Sequence, residues 1–240
     1  MSLDTWTPAA VTSNSELFEG AVNRFVLVEA SAATQKITDS LAEFELIENL
    51  VAKSVEEIDL KFEKLHTLLA KPFLTRPHAK GSRFGSPTSK GVFYSAINLS
   101  TAAAERGFYV QKFLFDSPGL LVLNQRHSQF LSSVSVQSID TRLPPFHKDF
   151  EIFENKFSYA YTQKFADVVR QSKVGAIKYK SVRDPNGGVC LAILTPDGFS
   201  KPNPTSIDSA WTCYASLEKV YWFNPYVNSK LIETSLEFTY

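Results

Sequence analysis

Residues 71–91, KPFLTRPHAKGSRFGSPTSKG, hold three Pro and three Gly in 21 positions. Breakers at that density exclude a regular element and divide the chain into two textures. Before this run, residues 16–33 and 38–70 contain no Pro, and their only Gly is Gly20. In SLAEFELIENLVAKSVEEIDLKFEKLHTLLA, the residues Leu41, Phe44, Ile47, Leu50 and Val51 fall at helical steps. Ile58, Phe62, Leu65, Leu68 and Leu69 continue the stripe. The spacing predicts helix over 16–33 and 38–70, as a helical layer spanning residues 1–70. Ser54 and Glu57 read as a capping box that starts a second helix. His66 in the stripe reads as a packing residue.

After the break the pattern mixes. GVFYSAINL reads as a strand, being β-branched and aromatic. TAAAERGFYVQKFL reads as a helix capped by Ser100 or Thr101. Residues 119–123 and 132–139 read as two strands and 157–172 as a helix. Residues 176–180 and 189–194 read as strands joined by the turn signal DPNGG. Residues 197–209 form a polar, Pro-bearing loop, and 218–223 and 231–240 read as final strands. The order predicts an α+β fold, with a core over 71–240 packed with the helical layer as one unit. Trp211 and Trp222 belong to its interior, given the area an indole buries.

Composition narrows the function. The chain has 240 residues with 25 Lys+Arg, 25 Asp+Glu and a formal net charge of +0. Broad electrostatic binding to nucleic acid or acidic membranes is not expected. No window reaches the roughly 18–20 apolar residues of a membrane span. The start, MSLDTWTPAA, lacks a secretory pattern. Cys190 and Cys213 form no disulfide framework and suit a reducing cytoplasm. The His at 66, 78, 127 and 147 match no HxxxH, HExxH or CxxC…H arrangement, so no metal is expected. There is no GxGxxG after a strand, no P-loop lysine in GSRFGSP and no GxSxG elbow.

A constellation remains. Arg83 lies in the Gly-flanked loop GSRFG, Tyr94 ends a predicted strand, and Glu105 interrupts an apolar helical segment. A Gly-rich loop with Arg suits a phosphate, and Tyr suits a flat ring. A carboxylate suits a cationic sugar transition state. Ser181 and Arg183 stand two residues apart after a predicted strand and would share one face.

These segments resemble the RES domain family, named for its Arg, Glu and Ser. GSRFGSPTSKGVFYSAINLSTAAAERGFY is similar to the family's GSRFG…GhhYxS…TAhAExxxY. SIDTRLPPF resembles a further family stretch, and YAYTQKFADVVRQSKVGAIKYKSVRDPNGG resembles the segment that carries the motif Ser. VEASAATQKITDSLAEFELIE followed by LHTLLAKPF resembles the extension of a long-form branch. The resemblance implies a split mixed sheet similar to the ADP-ribosyltransferase core. It implies a toxin of a type II toxin–antitoxin pair that consumes NAD and is neutralised by an Xre-type antitoxin. The nicotinamide–ribose bond is cleaved, with water or inorganic phosphate as acceptor. Arg83, Tyr94, Glu105 and Ser181 match the motif residues. Glu105 would stabilise the oxocarbenium-like ribose, Arg83 clamp the pyrophosphate, Tyr94 stack on nicotinamide, and Ser181 bond a phosphate or ribose oxygen. Gln163 matches a position that supports these from behind or lies on a plain helix surface. The loops 72–91 and 197–209 are candidate antitoxin surfaces, and self-association is left open.

The chain departs from the pattern in places. The branch's PFRY is here PFLT, so Leu74 and Thr75 stand where an Arg-Tyr pair helps hold NAD; Arg76 is the nearest substitute. YPSARD has become YKSVRD, placing Lys180 beside Ser181, and an expected Asn region reads Val189-Cys190. Those losses motivate an alternative, a RES-fold module that binds a nucleotide or partner with weakened catalysis. ADP-ribosyl transfer to a macromolecule is another alternative.

Overall fold

The computed structural model describes residues 6–28, 62, 64–75, 79–227 and 232–234. It opens on a short helix, α1 (Pro8–Ser13), with Pro in its first turn and Thr7 Oγ1 accepting from Ala10 N at 3.2 Å. Strand β1 (Glu16–Leu27) follows, which corrects the helix expected over 16–33. The apolar doublets of ELFEGAVNRFVL satisfy a helical stripe and a strand buried on both faces equally well. Pairing decides between them, because β1 bonds along twelve consecutive positions of a later strand, from Glu16↔Ser138 to Leu27↔His127. Most of 38–70, with the Ser54–Glu57 box, lies outside the described residues.

Helix α2 (Thr67–Leu74) runs into the segment expected to be loop and carries Pro72 inside it. His66 begins α2, its Nδ1 accepting from Leu68 N at 3.2 Å. Strand β2 (Phe93–Ala96) leads to α3 (Leu99–Phe115). Neither Ser100 nor Thr101 caps α3, whose start is Asn98 without a side-chain cap. Thr101 instead donates to Asp184 Oδ2 at 2.7 Å, a tertiary bond that local pattern cannot show.

Strand β3 (Val122–Asp140) is one 19-residue strand where two short ones were expected. Its polar middle, NQRHSQ, lies between the two expected strands, and in the fold its side chains find cross-strand partners. Gln129 Nε2 donates to Asn23 Oδ1 at 2.9 Å, and Ser128 and Ser209 hydroxyls meet at 2.8 Å. A 3₁₀ turn (Phe146–Asp149) and a single-turn α4 (Phe150–Phe153) precede α5 (Ala160–Gln171). The remaining strands are β4 (Ala176–Lys180), β5 (Val189–Ile193), β6 (Ser206–Ser216), β7 (Val220–Phe223) and β8 (Ile232–Thr234).

The strands run in the order β1-β2-β5-β4-β3-β6-β7-β8, with a further β1–β3 pairing. Among the described strands only β3–β4 is parallel, over Ser138–Asp140, so the sheet is mixed. β3 bonds β6 along its first half and β4 at its end, so the sheet splits there. β1 and β2 touch at a single position, Asn23↔Ala96. The expected α+β class with a split mixed sheet is therefore the architecture found.

Two cores fill the faces. One joins α3 and α5 to the sheet through Phe25, Trp211 and Trp222, with both indoles buried. Phe25 lies 5.6 Å from Trp211 and 4.4 Å from Trp222, ring centre to ring centre. The other packs Leu69 of α2 onto Val22, Phe93, Phe130 and Leu191. Burying side chains of that size contributes about 1.5–3 kcal/mol each.

Candidate active site

The loop before β2 is tied down first. Gly81 adopts φ +70°, and a Cβ there would lie 2.3 Å from Gly85 O, so glycine is required. Gln163 of α5 donates from Nε2 to Lys80 O at 3.1 Å and Ser82 O at 3.0 Å. Tyr94 holds the same loop from β2. Its hydroxyl meets Ser82 Oγ at 2.8 Å and accepts from Phe84 N at 2.9 Å. The Tyr94 hydroxyl is thereby committed, and burial raises its pKa; its ring lines a cavity.

Arg83 projects from this loop and is nearly buried. Its Nη1 donates to Phe153 O at 2.6 Å and its guanidinium lies 4.8 Å from the Tyr159 ring centre. Neither partner cancels its charge.

Glu105 enters from α3. Ala102, Ala103 and Ala104 are buried and small, so this turn of α3 sits close against the sheet. Glu105 follows them toward β4 and β5 rather than toward solvent. Ser181 Oγ donates to Glu105 Oε1 at 2.6 Å, and the Cys190 thiol approaches the same oxygen at 3.7 Å. Burial, and the Glu105 charge beside it, hold the Cys190 thiol well above its ordinary range, so it stays protonated.

Ser181 itself is fixed by the turn after β4. Its Oγ accepts from Arg183 N at 3.2 Å and Asp184 N at 2.9 Å. Ser181 is buried and is not among the residues that line the cavity; its hydroxyl hydrogen lies on Glu105 Oε1. Arg183 does line it, its guanidinium 3.5 Å from the Phe108 ring centre.

Arg83, Tyr94, Glu105 and Arg183 thus share one cavity of about 990 Å³. That is at the upper end of the range of small-molecule sites. Seven of its lining side chains are Arg or Lys and two are carboxylates. Among the described residues no cluster of His, Cys, Asp or Glu could hold a metal ion.

Leu74 and Thr75 lie at the end of α2 and do not line this cavity, and Arg76 is outside the described residues. The arginine–aromatic pair on the wall is Arg24–Phe25 of β1. It was not legible in a segment read as helix. Arg24 occupies the opening where β1 and β2 diverge, with Nη1 donating to Tyr94 O at 2.8 Å. Arg106 is a second cavity arginine missed from sequence, although its place beside Glu105 in an apolar run was a signal.

A cleft in a split mixed sheet, walled by guanidiniums around one anchored carboxylate, defines a class of α+β protein suited to an anionic, ring-bearing ligand. The family is shown by sequence: residues 55–216 match the RES domain, and the chain belongs to that family. β1, with Arg24, lies before the matched region. The fold is similar to the crystal structure of the M. tuberculosis MbcT–MbcA toxin–antitoxin complex, with a TM-score of 0.51 and 10% identity. That likeness covers 86% of this chain and 93% of the other. No curated protein matches the sequence.

Proposed function

We propose that the chain is the toxin of a toxin–antitoxin pair and that it cleaves NAD between nicotinamide and ribose. The observation that carries this reading is Glu105, held at 2.6 Å by Ser181 on the wall of a cationic cavity. As the C1′–N bond breaks, its electron pair neutralises the pyridinium nitrogen and positive charge develops on the ribose. A preoriented Glu105 carboxylate stabilises that charge. Arg83 and Arg183 bind the diphosphate, and the Tyr94 ring packs on the nicotinamide. A water or a phosphate oxygen then bonds C1′, and water would give up its proton. Loss of the redox cofactor pool accounts for toxicity in the cytoplasm. An antitoxin, of Xre type by the family resemblance, would act by closing the cavity.

The test is incubation of pure protein with NAD, with and without phosphate, following nicotinamide by chromatography. Glu105→Gln keeps the fold and lowers nicotinamide release at least about 100-fold, in line with the ~2.7–4 kcal/mol that one lost stabilising group costs. Expression of the wild type arrests growth and Glu105→Gln does not. Unchanged release by Glu105→Gln would sink the assignment.

A further inference from the structure

Glu105 meets two donors from a single hairpin. Strands β4 and β5 pair through Tyr179↔Cys190, and just past β4 the Ser181 N donates to Gly188 O at 2.7 Å. Ser181 and Cys190 thus stand on adjacent arms at one end of the hairpin, facing α3. Both reach the same carboxylate oxygen, the Ser181 hydroxyl at 2.6 Å and the Cys190 thiol at 3.7 Å from Glu105 Oε1. Among the described residues no donor reaches Oε2. Glu105 and Cys190 both line the cavity.

The position of Cys190 is fixed by its strand. β5 lies inside the sheet, with Ala96 opposite Cys190 on one side and Tyr179 on the other, and the side chain is buried. Burial, then the Glu105 charge, keeps the thiol protonated, so it stands beside the carboxylate as a donor and not as a second anion. An S–H donor adds little energy. Its consequence is orientation. The last torsion of a glutamate side chain is broad, and a single donor leaves the carboxylate free to turn about it. Two donors on one oxygen, from two strands, hold that torsion. We propose that Cys190 is a positioning residue, its S–H joining the Ser181 hydroxyl on Oε1 so that Oε2 is the oxygen turned to the ligand. Its effect on catalysis rests on the NAD reading; the bond itself does not.

The first arm of the test needs no NAD. The S–H stretch absorbs in an infrared window clear of other protein bands. The chain has two cysteines, and Cys190→Ser identifies the Cys190 band beside that of Cys213. Glu105→Gln puts a neutral acceptor in place of the carboxylate, so the Cys190 band moves to higher frequency while the Cys213 band stays. A Cys190 band that Glu105→Gln leaves unmoved overturns the proposal.

The second arm follows nicotinamide release. Cys190→Ala lowers kcat about 3- to 10-fold with KM for NAD unchanged, and Cys190→Ser, which keeps a donor, stays within about twofold of the wild type. In Ser181→Ala protein the thiol is the remaining donor among the described residues, so Cys190→Ala costs more there than in the wild type. A rise in KM with kcat unchanged makes Cys190 a wall contact only, and equal cost in the two backgrounds makes it independent of Ser181; either result overturns the positioning role. Wild-type protein that releases no nicotinamide counts against the NAD reading, and the first arm then still decides the bond.

Discussion

Ser181 Oγ receives two backbone N–H groups, from Arg183 and Asp184, and gives its own hydrogen to Glu105 Oε1. This explains at the level of atoms why a serine suits position 181: its one hydroxyl accepts from the turn's backbone and donates to the carboxylate. Among the described residues, alanine leaves Glu105 with the distant Cys190 thiol. Ser181→Ala is expected to lower the rate of nicotinamide release about 10- to 100-fold while KM for NAD changes little. A unaltered urea unfolding curve separates this positioning role from a folding defect. The sequence marked Glu105, Arg83 and Tyr94 through residue type in unlikely surroundings. It did not mark Arg24, which stands in a segment that reads as helix, and it offered for Arg106 only its place beside Glu105 in an apolar run.

At the scale of elements, α3 is held to the turn after β4 by closeness as well as by bonds. A Cβ on Gly188 would stand 2.0 Å from Thr101 Oγ1 and 2.5 Å from Asp184 Oδ2. Gly188→Ala therefore pushes α3 from the turn that carries Ser181. We expect a destabilisation of about 1–3 kcal/mol in urea unfolding, with nicotinamide release falling as well. The elements legible in sequence were those with a strong local signature: the alanine-rich α3, α5, and β4 and β5 about the turn DPNGG. β1 reads as helix, and the middle of β3 reads as no element, for one reason. Apolar doublets in the first and polar runs in the second are compatible with several local structures, and cross-strand pairing selects among them.

Across the whole molecule, His127 couples the sheet to the cavity. It is buried against Trp222, with ring centres 4.9 Å apart, and burial followed by the Arg106 charge pushes its pKa down to about 4. The unfolded chain holds its histidine near 6.5. Between these values the unfolded state takes up a proton that the folded state refuses. Stability is therefore complete above about pH 6.5, falls as pH drops toward 4, and levels off below, with a loss on the order of 3 kcal/mol. Urea unfolding at pH 7.5 and about pH 5 should show His127→Gln losing less stability on acidification than the wild type. An equal loss would remove His127 from this account. Local chemistry written along the chain determined the breakers at 71–91, the alanine-rich helix with its carboxylate, and the motifs of the RES domain. The tertiary structure alone decided that residues 16–27 form a strand, that Ser181 bonds Glu105, and that Arg24 and Arg106 line one cavity. Each of those depends on contacts between residues far apart in sequence, and such contacts leave no periodic trace in either segment.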